Sequence, residues 1–355
     1  MSTLVISDLH LGSRRHRDVL ALARTRAPLL HLAAEMQRVV LLGDVLELLD
    51  IGPGEAVEVA RPLLEGLGAA LGPAGRIVLT GGNHDLALFA GPIAGAVDDG
   101  SLALDARIDP SADRWLSAFA ELLAPAQLEI RYPGVWLRDD LYATHGHYLD
   151  RHIAFSPTLE DGLPPAARGA LGALRAALGA PPGDVATPAE YERALAPLYG
   201  AFIAARNLSA STWLPGPASA RSSALTDLAI PLAGRLGLGD ALAPLGAGAL
   251  GLQLRRTGLR AMAEVVDRLA IDAAHVIFGH IHLAGPLPGD RLERWVTPGG
   301  TALHNSGSWV YEPALLAGSG AESPYWPGCA LVVDAEGPPR PERLLGGFTG
   351  AELRR

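Results

Sequence analysis

Five short runs of β-branched and aliphatic residues in this chain each stop at a residue able to bind a cation. Leu4-Val5-Ile6-Ser7 runs into Asp8-Leu9-His10, Val39-Val40-Leu41-Leu42 into Gly43-Asp44, and Ile77-Val78-Leu79-Thr80 into Gly81-Gly82-Asn83-His84-Asp85. Leu141 to Thr144 runs into His145-Gly146-His147, and His275-Val276-Ile277-Phe278 into Gly279-His280-Ile281-His282. Runs this short and continuous, bounded by turn residues, read as buried strands. Strand ends are where α/β folds gather a site, and the glycines let the backbone turn sharply beside an ion.

Between the runs lie helical patterns at about 17 to 36, 55 to 72 and 257 to 271, the last marked by Leu259, Met262, Val265, Val266 and Leu269. Alternation of strand and helix implies an α/β fold whose sheet is largely parallel at its centre. A further strand is expected at Ala330-Leu331-Val332-Val333. Residues 151–255 differ in texture: Ala, Leu, Gly and Pro dominate and strand signals nearly vanish. This reads as a helical insertion, jointed at Leu163-Pro164-Pro165, Ala180-Pro181-Pro182 and Leu214-Pro215-Gly216-Pro217, between core segments at 1–150 and 256–355. A cap over the site and a dimerisation element are both open readings of it.

Each motif alone has a bland explanation. Asp-x-His occurs by chance, Asp44 could cap a helix, and Asn83 and Asp85 suit turns. Together they do not: of eleven histidines, His10, His84, His145, His147, His280 and His282 all fall at strand ends, where neutral imidazole binds transition metals. In an extended chain Asp8 and His10, two apart, would project to the same face.

Asp-x-His, Gly-Asp, Gly-Asn-His-Asp, His and Gly-His-x-His, in that order, resemble the signature blocks of the calcineurin-like metallophosphoesterases, of the bacterial type with a large helical insertion. The resemblance covers residues 1–150 and 270 to about 310. It implies a four-layer αββα sandwich with an inserted helical cap. It implies that Asp8, His10 and His282 hold one divalent metal, that Asn83, His145 and His280 hold the other, and that Asp44 bridges them. His145 is taken over His147 because it directly follows its strand, a choice that spacing alone leaves open, and His147 is otherwise a candidate for supporting the ligands or contacting substrate. Two cations about 3.5 to 4 Å apart would share a bridging hydroxide as the nucleophile. The resemblance puts His84 beside the substrate phosphate, to stabilise charge or protonate the leaving oxygen, with Asp85 to orient it. Glu47 is either a supporting residue or an exposed helix position. Arg14 and Arg15 follow the first motif closely enough to reach a substrate phosphate, a solvated loop being the plainer reading. Asn305-Ser306-Gly307-Ser308-Trp309 reads as support for the metal loops.

Mixed nitrogen and oxygen donors without thiolate suit manganese, iron or zinc, and the resemblance puts manganese first. The expected activity is hydrolysis of a phosphomonoester or phosphodiester. One alternative is a lipid-linked phosphate or pyrophosphate, with the apolar insertion as lid; another is a scaffold that has lost catalysis. Val45-Leu46-Glu47-Leu48-Leu49-Asp50 lacks the Asp-Arg-Gly extension of phosphoprotein phosphatases. With a formal charge of -9 and only the short basic run Ser13 to Arg17, a nucleic-acid substrate is not expected. At 49% hydrophobic and 19% charged residues, the chain is expected to fold rather than stay disordered. Cys329, the sole cysteine, precludes an intrachain disulfide and is expected to be a small buried side chain. The N-terminal segment lacks a secretory pattern, which makes cytoplasmic location the expectation. The apolar stretch Leu228 to Leu254 is interrupted by Arg235, Asp240, two prolines and several glycines; its longest uncharged part is too short to span a bilayer, but the stretch could lie against one. Oligomerisation through the insertion is also open.

Overall fold

The alternating pattern closes, in the computed structural model, into a mixed α/β fold in which the described strands form an 11-stranded sheet. The structure describes residues 2–154, 186–197, 199, 246–316 and 318–354. Most of the expected insertion, including its three proline joints, lies outside the described residues.

In chain order the first elements are β1 (Thr3–Ile6), α1 (Ala23–Ala33), β2 (Arg38–Leu42), α2 (Pro53–Leu71) and β3 (Arg76–Thr80). α3 (Ala90–Asp98), β4 (Asp105–Ile108), α4 (Arg114–Leu122), β5 (Gln127–Arg138), β6 (Leu141–Thr144) and α5 (Asp150–Ala154) follow. After a helical stretch at 188–197 come α6 (Gly246–Arg268), β7 (His275–Phe278), β8 (Ala284–Gly285), β9 (Ala302–Ser306), β10 (Cys329–Val333) and β11 (Arg340–Arg343). The sheet order is β11-β10-β1-β2-β3-β5-β6-β7-β9-β8, with β4 paired to β5.

The expected parallel centre is present: β1, β2, β3 and the first half of β5 run parallel, as do β6, β7 and β9. β5 joins the two sets. Its residues Gln127 to Arg131 pair with β3, and Gly134 to Arg138 pair antiparallel with β6. Side chains alternate across a strand, and here the alternation sorts two cores. Val5, Val40, Leu42, Val78, Leu331 and Val333 pack in one cluster with Val135, Leu137, Leu141, Ala143 and Ile277, so the two halves of the sheet bury a face in common. The alternate residues Leu4, Ile6, Val39, Leu41, Ile77 and Leu79 join the larger core, with Leu63, Leu64 and Leu67 of α2.

Two expected boundaries move. The helix expected from residue 17 begins at Ala23, because the chain at 17–19 is pinned across to the segment after β9: Val19 N donates to Trp309 O at 3.1 Å and Tyr311 N to Arg17 O at 2.9 Å. The boundary expected between residues 255 and 256 falls inside α6. Its Leu259, Met262, Val265, Val266 and Leu269 are buried, as their spacing implied. Cys329 is buried at the start of β10, and burial pushes its thiol up to about 12. Among the described residues no helix is long and apolar enough to cross a membrane.

Candidate metal centre

All the expected motifs lie just past the C-terminal ends of β1, β2, β3, β6 and β7, and hydrogen bonds lace those loops together. Leu9 N and His10 N each donate to Asp44 O at 2.9 Å, and Gly279 N donates to His145 O at 3.0 Å. His280 N donates to the Asp8 carboxylate at 3.0 Å, and Ser7 Oγ donates to the same group. Two motif glycines leave no room for a side chain: a Cβ at Gly82 would strike the Asp44 carboxylate, and one at Gly279 would strike Ser7 Oγ and Asp8.

Backbone geometry marks the same residues. Asp8, His10, Asp44, His280 and His282 all have positive φ, between 46° and 68°; the other non-glycine cases among the described residues are His16 and Ala270. Such a conformation costs roughly 1–3 kcal/mol for a residue with a Cβ and persists where the surroundings impose it, typically at functional sites. Asp8 and His10 therefore converge through left-handed turns after β1 has ended, not as neighbours on one face of an extended strand.

The result is three overlapping groups whose ligand atoms lie within 4.8 Å of one another: Asp8 with His10 and His282; His10 with Asp44 and His84; and Asp44 with His145 and His280. In the first, His282 Nε2 lies 3.2 Å from His10 Nε2 and 3.3 Å from Asp8 Oδ1. In the third, His145 Nε2 lies 3.2 Å from Asp44 Oδ2 and 3.3 Å from Asn83 Oδ1. Ligand atoms bound at about 2.1 Å and separated by 90–109° would stand about 3.0–3.4 Å apart. Asp44 Oδ2 lies between the groups, 3.7 Å from His10 Nε2.

Hydrogen bonds at the far nitrogens assign the near ones. His10 Nδ1 faces Glu47 Oε2 at 2.9 Å, His145 Nδ1 faces Leu42 O at 3.0 Å, and His280 Nε2 faces Asp150 Oδ1 at 2.7 Å. Carboxylate and carbonyl oxygens accept only, so each of these nitrogens carries the proton. When the ring is neutral, its remaining nitrogen presents a lone pair. For His145 that lone pair meets Asp44 Oδ2 and Asn83 Oδ1, and only a proton or a metal cation suits such a set of acceptors. Asp44 Oδ2 and His280 Nδ1 are buried without a hydrogen-bond partner, each a cost of about 1–3 kcal/mol unless a ligand takes it. The donor set thus fits divalent cations.

Electrostatics points the same way. Burial pushes the Asp8 carboxyl up, but the imidazoles of His282 and His145 outweigh it and hold it at about 2. Asp44 is held well below the usual carboxylate range against its own burial, by His145 first and then His84 and His10. Burial pushes His145 down, and the charges of Asp44 and Asp8 overcome it, to about 9.

The other expected residues divide. His84 is buried, its N–H donates to Asp44 Oδ1 at 2.8 Å, and its ring stands 4.5 Å from that of His10. Its orienting partner is not Asp85, as expected, but Glu47, whose Oε1 and Oε2 lie 2.7 and 2.8 Å from His84 Nδ1. Asp85 is engaged elsewhere: its Oδ1 accepts from Gly82 N at 2.7 Å and its Oδ2 from Val45 N at 2.8 Å, clamping the β2 and β3 loops together. Burial, then the charge of Asp44, pushes its carboxyl up to about 6. Glu47 is buried in a non-helical loop, which removes the exposed-helix reading. His147 does not join the metal-ligating groups. It is buried, with its Nε2 3.3 Å from Tyr132 Oη and its ring 5.7 Å from that of His145. Arg14 and Arg15 are exposed, and Arg14 N donates to Asp50 Oδ2 at 3.1 Å. Asn305 supports the β7 loop as expected: its Nδ2 donates to Gly279 O at 2.7 Å and its Oδ1 accepts from Gly307 N at 2.9 Å.

Asp150 escaped the sequence reading. It precedes the compositional change at residue 151 by one position, and nothing in its spacing pointed to His280, 130 residues away. No known family model matches this chain, and no curated protein matches it significantly.

Proposed function

We propose that this chain is a two-metal phosphoesterase of the calcineurin-like kind, hydrolysing a phosphomonoester or phosphodiester on a four-layer αββα sandwich with an inserted helical cap. The observation that carries the reading is the placement of Asp44 Oδ2: it is buried, makes no well-formed hydrogen bond, and faces imidazole nitrogens of both groups, His145 Nε2 at 3.2 Å and His10 Nε2 at 3.7 Å. The apolar face common to both halves of the sheet, with helices packed on the opposite side, supports the sandwich.

Asp8, His10 and His282 would hold one cation, Asn83, His145 and His280 the other, and Asp44 both. Divalent cations, manganese first among the candidates, supply Lewis acidity toward phosphoryl oxygens and lower the pKa of water. The protein's own part follows from its hydrogen bonds. Glu47 accepts from His10 and from His84, so one carboxylate sets the ring of a metal ligand and that of its neighbour. With its Nδ1 held by Glu47, a protonated His84 would set a positive charge near the phosphoryl oxygens, and its other ring nitrogen would be the donor to the leaving oxygen.

The direct test is hydrolysis of bis-p-nitrophenyl phosphate and p-nitrophenyl phosphate by manganese-loaded protein, with loss of turnover on chelation. Metal-replete protein that hydrolyses neither ester removes the reading in favour of a non-catalytic scaffold.

A further inference from the structure

Asp150 opens α5, and its two oxygens look in different directions. Oδ1 takes the His280 Nε2 proton at 2.7 Å. Oδ2 lies 3.3 Å from Tyr199 Oη, which is also 3.3 Å from His147 O. A phenol has one proton, and a carboxylate is the stronger acceptor of the two. Burial, then the charge of Asp150, raises the Tyr199 phenol well above its ordinary value, so it stays a donor.

The segment carrying Tyr199 is firmly seated. Glu192 Oε1 accepts from Tyr132 Oη and Tyr148 Oη, each at 2.6 Å. Tyr191 stacks on Tyr148 with ring centroids 4.7 Å apart and planes 3° from parallel, and its Oη lies 2.7 Å from Nε2 of His152 on α5. Residues 186–197 and 199 therefore lock to the turn after β6 and to α5, the elements that carry Asp150.

We propose that Asp150 is a positioning residue that fixes the tautomer and orientation of His280 as a metal ligand, and that Tyr199 holds Asp150 in that role. With Nε2 protonated by its contact to Asp150, the His280 lone pair sits on Nδ1, the buried atom that lacks a protein partner. Fixing the far nitrogen of a ligating histidine in this way typically governs metal affinity by 10- to 100-fold. The expected insertion, at least in this segment, is then part of the metal site's frame. The inference rests on the two-metal reading only for what Nδ1 ligates.

Two measurements separate the parts. In metal-free wild-type protein, nitrogen NMR should find His280 protonated at Nε2; a bare Nε2 with the proton on Nδ1 overturns the proposal without any mutation. Manganese titration followed by the EPR signal of the free ion should then show Asp150→Ala weakening one of two sites by about 10- to 100-fold while the other is unchanged. Asp150→Asn, which keeps an oxygen able to accept from Nε2, should recover most of that loss. Tyr199→Phe should weaken the same site by about 2- to 10-fold, the worth of one hydrogen bond. Unchanged affinity at both sites in Asp150→Ala, or in Tyr199→Phe should the former not fold, overturns the positioning role. A wild type that takes up no manganese defeats the two-metal reading and the ligand half of this inference. The Nε2 tautomer and its loss in Asp150→Ala would then still uphold the positioning of the ring.

Discussion

His145 holds its Nδ1 proton against Leu42 O and turns its Nε2 to Asp44 and Asn83, so without a metal the ring takes up a second proton. Its value of about 9 lies above the ordinary 6.5, and stabilisation by the charged ring is fully present below 6.5 and lost as pH rises through about 9. Glu47 behaves oppositely. Burial raises it, but His84 and His10 bring it from 4.5 to about 2, so its contribution is present above 4.5 and lost as pH falls toward 2. Burial also brings His152 to about 4 and His304 to about 3, which removes stability as pH falls below 6.5, so chelated protein should melt highest near pH 6.5, read by thermal denaturation across pH; a melting temperature that climbs steadily to pH 9 contradicts this. Because ligation needs the bare Nε2, manganese affinity should rise with pH toward about 9 with proton release, seen by calorimetry in buffers of different ionisation enthalpy. His84, held by Glu47, is expected to act on the substrate and not as a ligand. His84→Ala should keep its manganese while losing roughly 100-fold or more in rate, most for esters with poor leaving groups; an equal loss across leaving groups would take the acid role from it.

The elements that carry the site are short strands ending in tight loops, and this was the part most legible in the sequence. β1, β2, β3, β6, β7 and β10 stand within a residue of where their aliphatic runs put them, because a buried strand must be continuous and apolar. β5 was not read. Its residues Gln127 to Tyr132 alternate as a strand should, but Pro133-Gly134 interrupts the pattern at the point where β5 changes from one set of partners to the other. β9, with His304, Asn305 and Ser306, is too polar to announce itself; Asn305 and Ser306 bond to Gly279 O and Phe278 O, and His304 faces His275 at the start of β7. The left-handed backbone at Asp8, His10, Asp44, His280 and His282 was equally hidden, since neighbouring loops impose it. Asn305 ties β9 to the loop that presents His280 and His282. Asn305→Ala would leave Gly307 N without its acceptor and Gly279 O with only the Ile281 N–H, and should lower stability by about 1–3 kcal/mol, measured by denaturant unfolding. Unchanged stability would mean that the loop is held by other bonds.

Across the whole molecule, the parallel strands of both halves of the sheet end on the same cluster of side chains, which is why motifs separated by up to 274 positions, from Asp8 to His282, meet. Motif order foresaw that the seven expected residues would gather at one place; of the residues that aim their rings, Glu47 was one of two open readings and Asp150 was not read at all. Glu47 serves two histidines whose motifs lie on different strands, and Asp150 serves one that is 130 positions distant. Such pairings depend on tertiary contacts that spacing along the chain does not encode. The same convergence makes one carboxylate common to both halves, and the two-metal reading stands or falls on it. The most direct measurement is metal stoichiometry by mass spectrometry on manganese-loaded, gel-filtered protein, comparing wild type with Asp44→Ala and confirming the fold of each by circular dichroism. Two ions per chain in the wild type, and neither retained in a folded Asp44→Ala, is the expected result; no bound metal in the wild type, or two ions retained in the variant, would contradict a bridged two-metal centre.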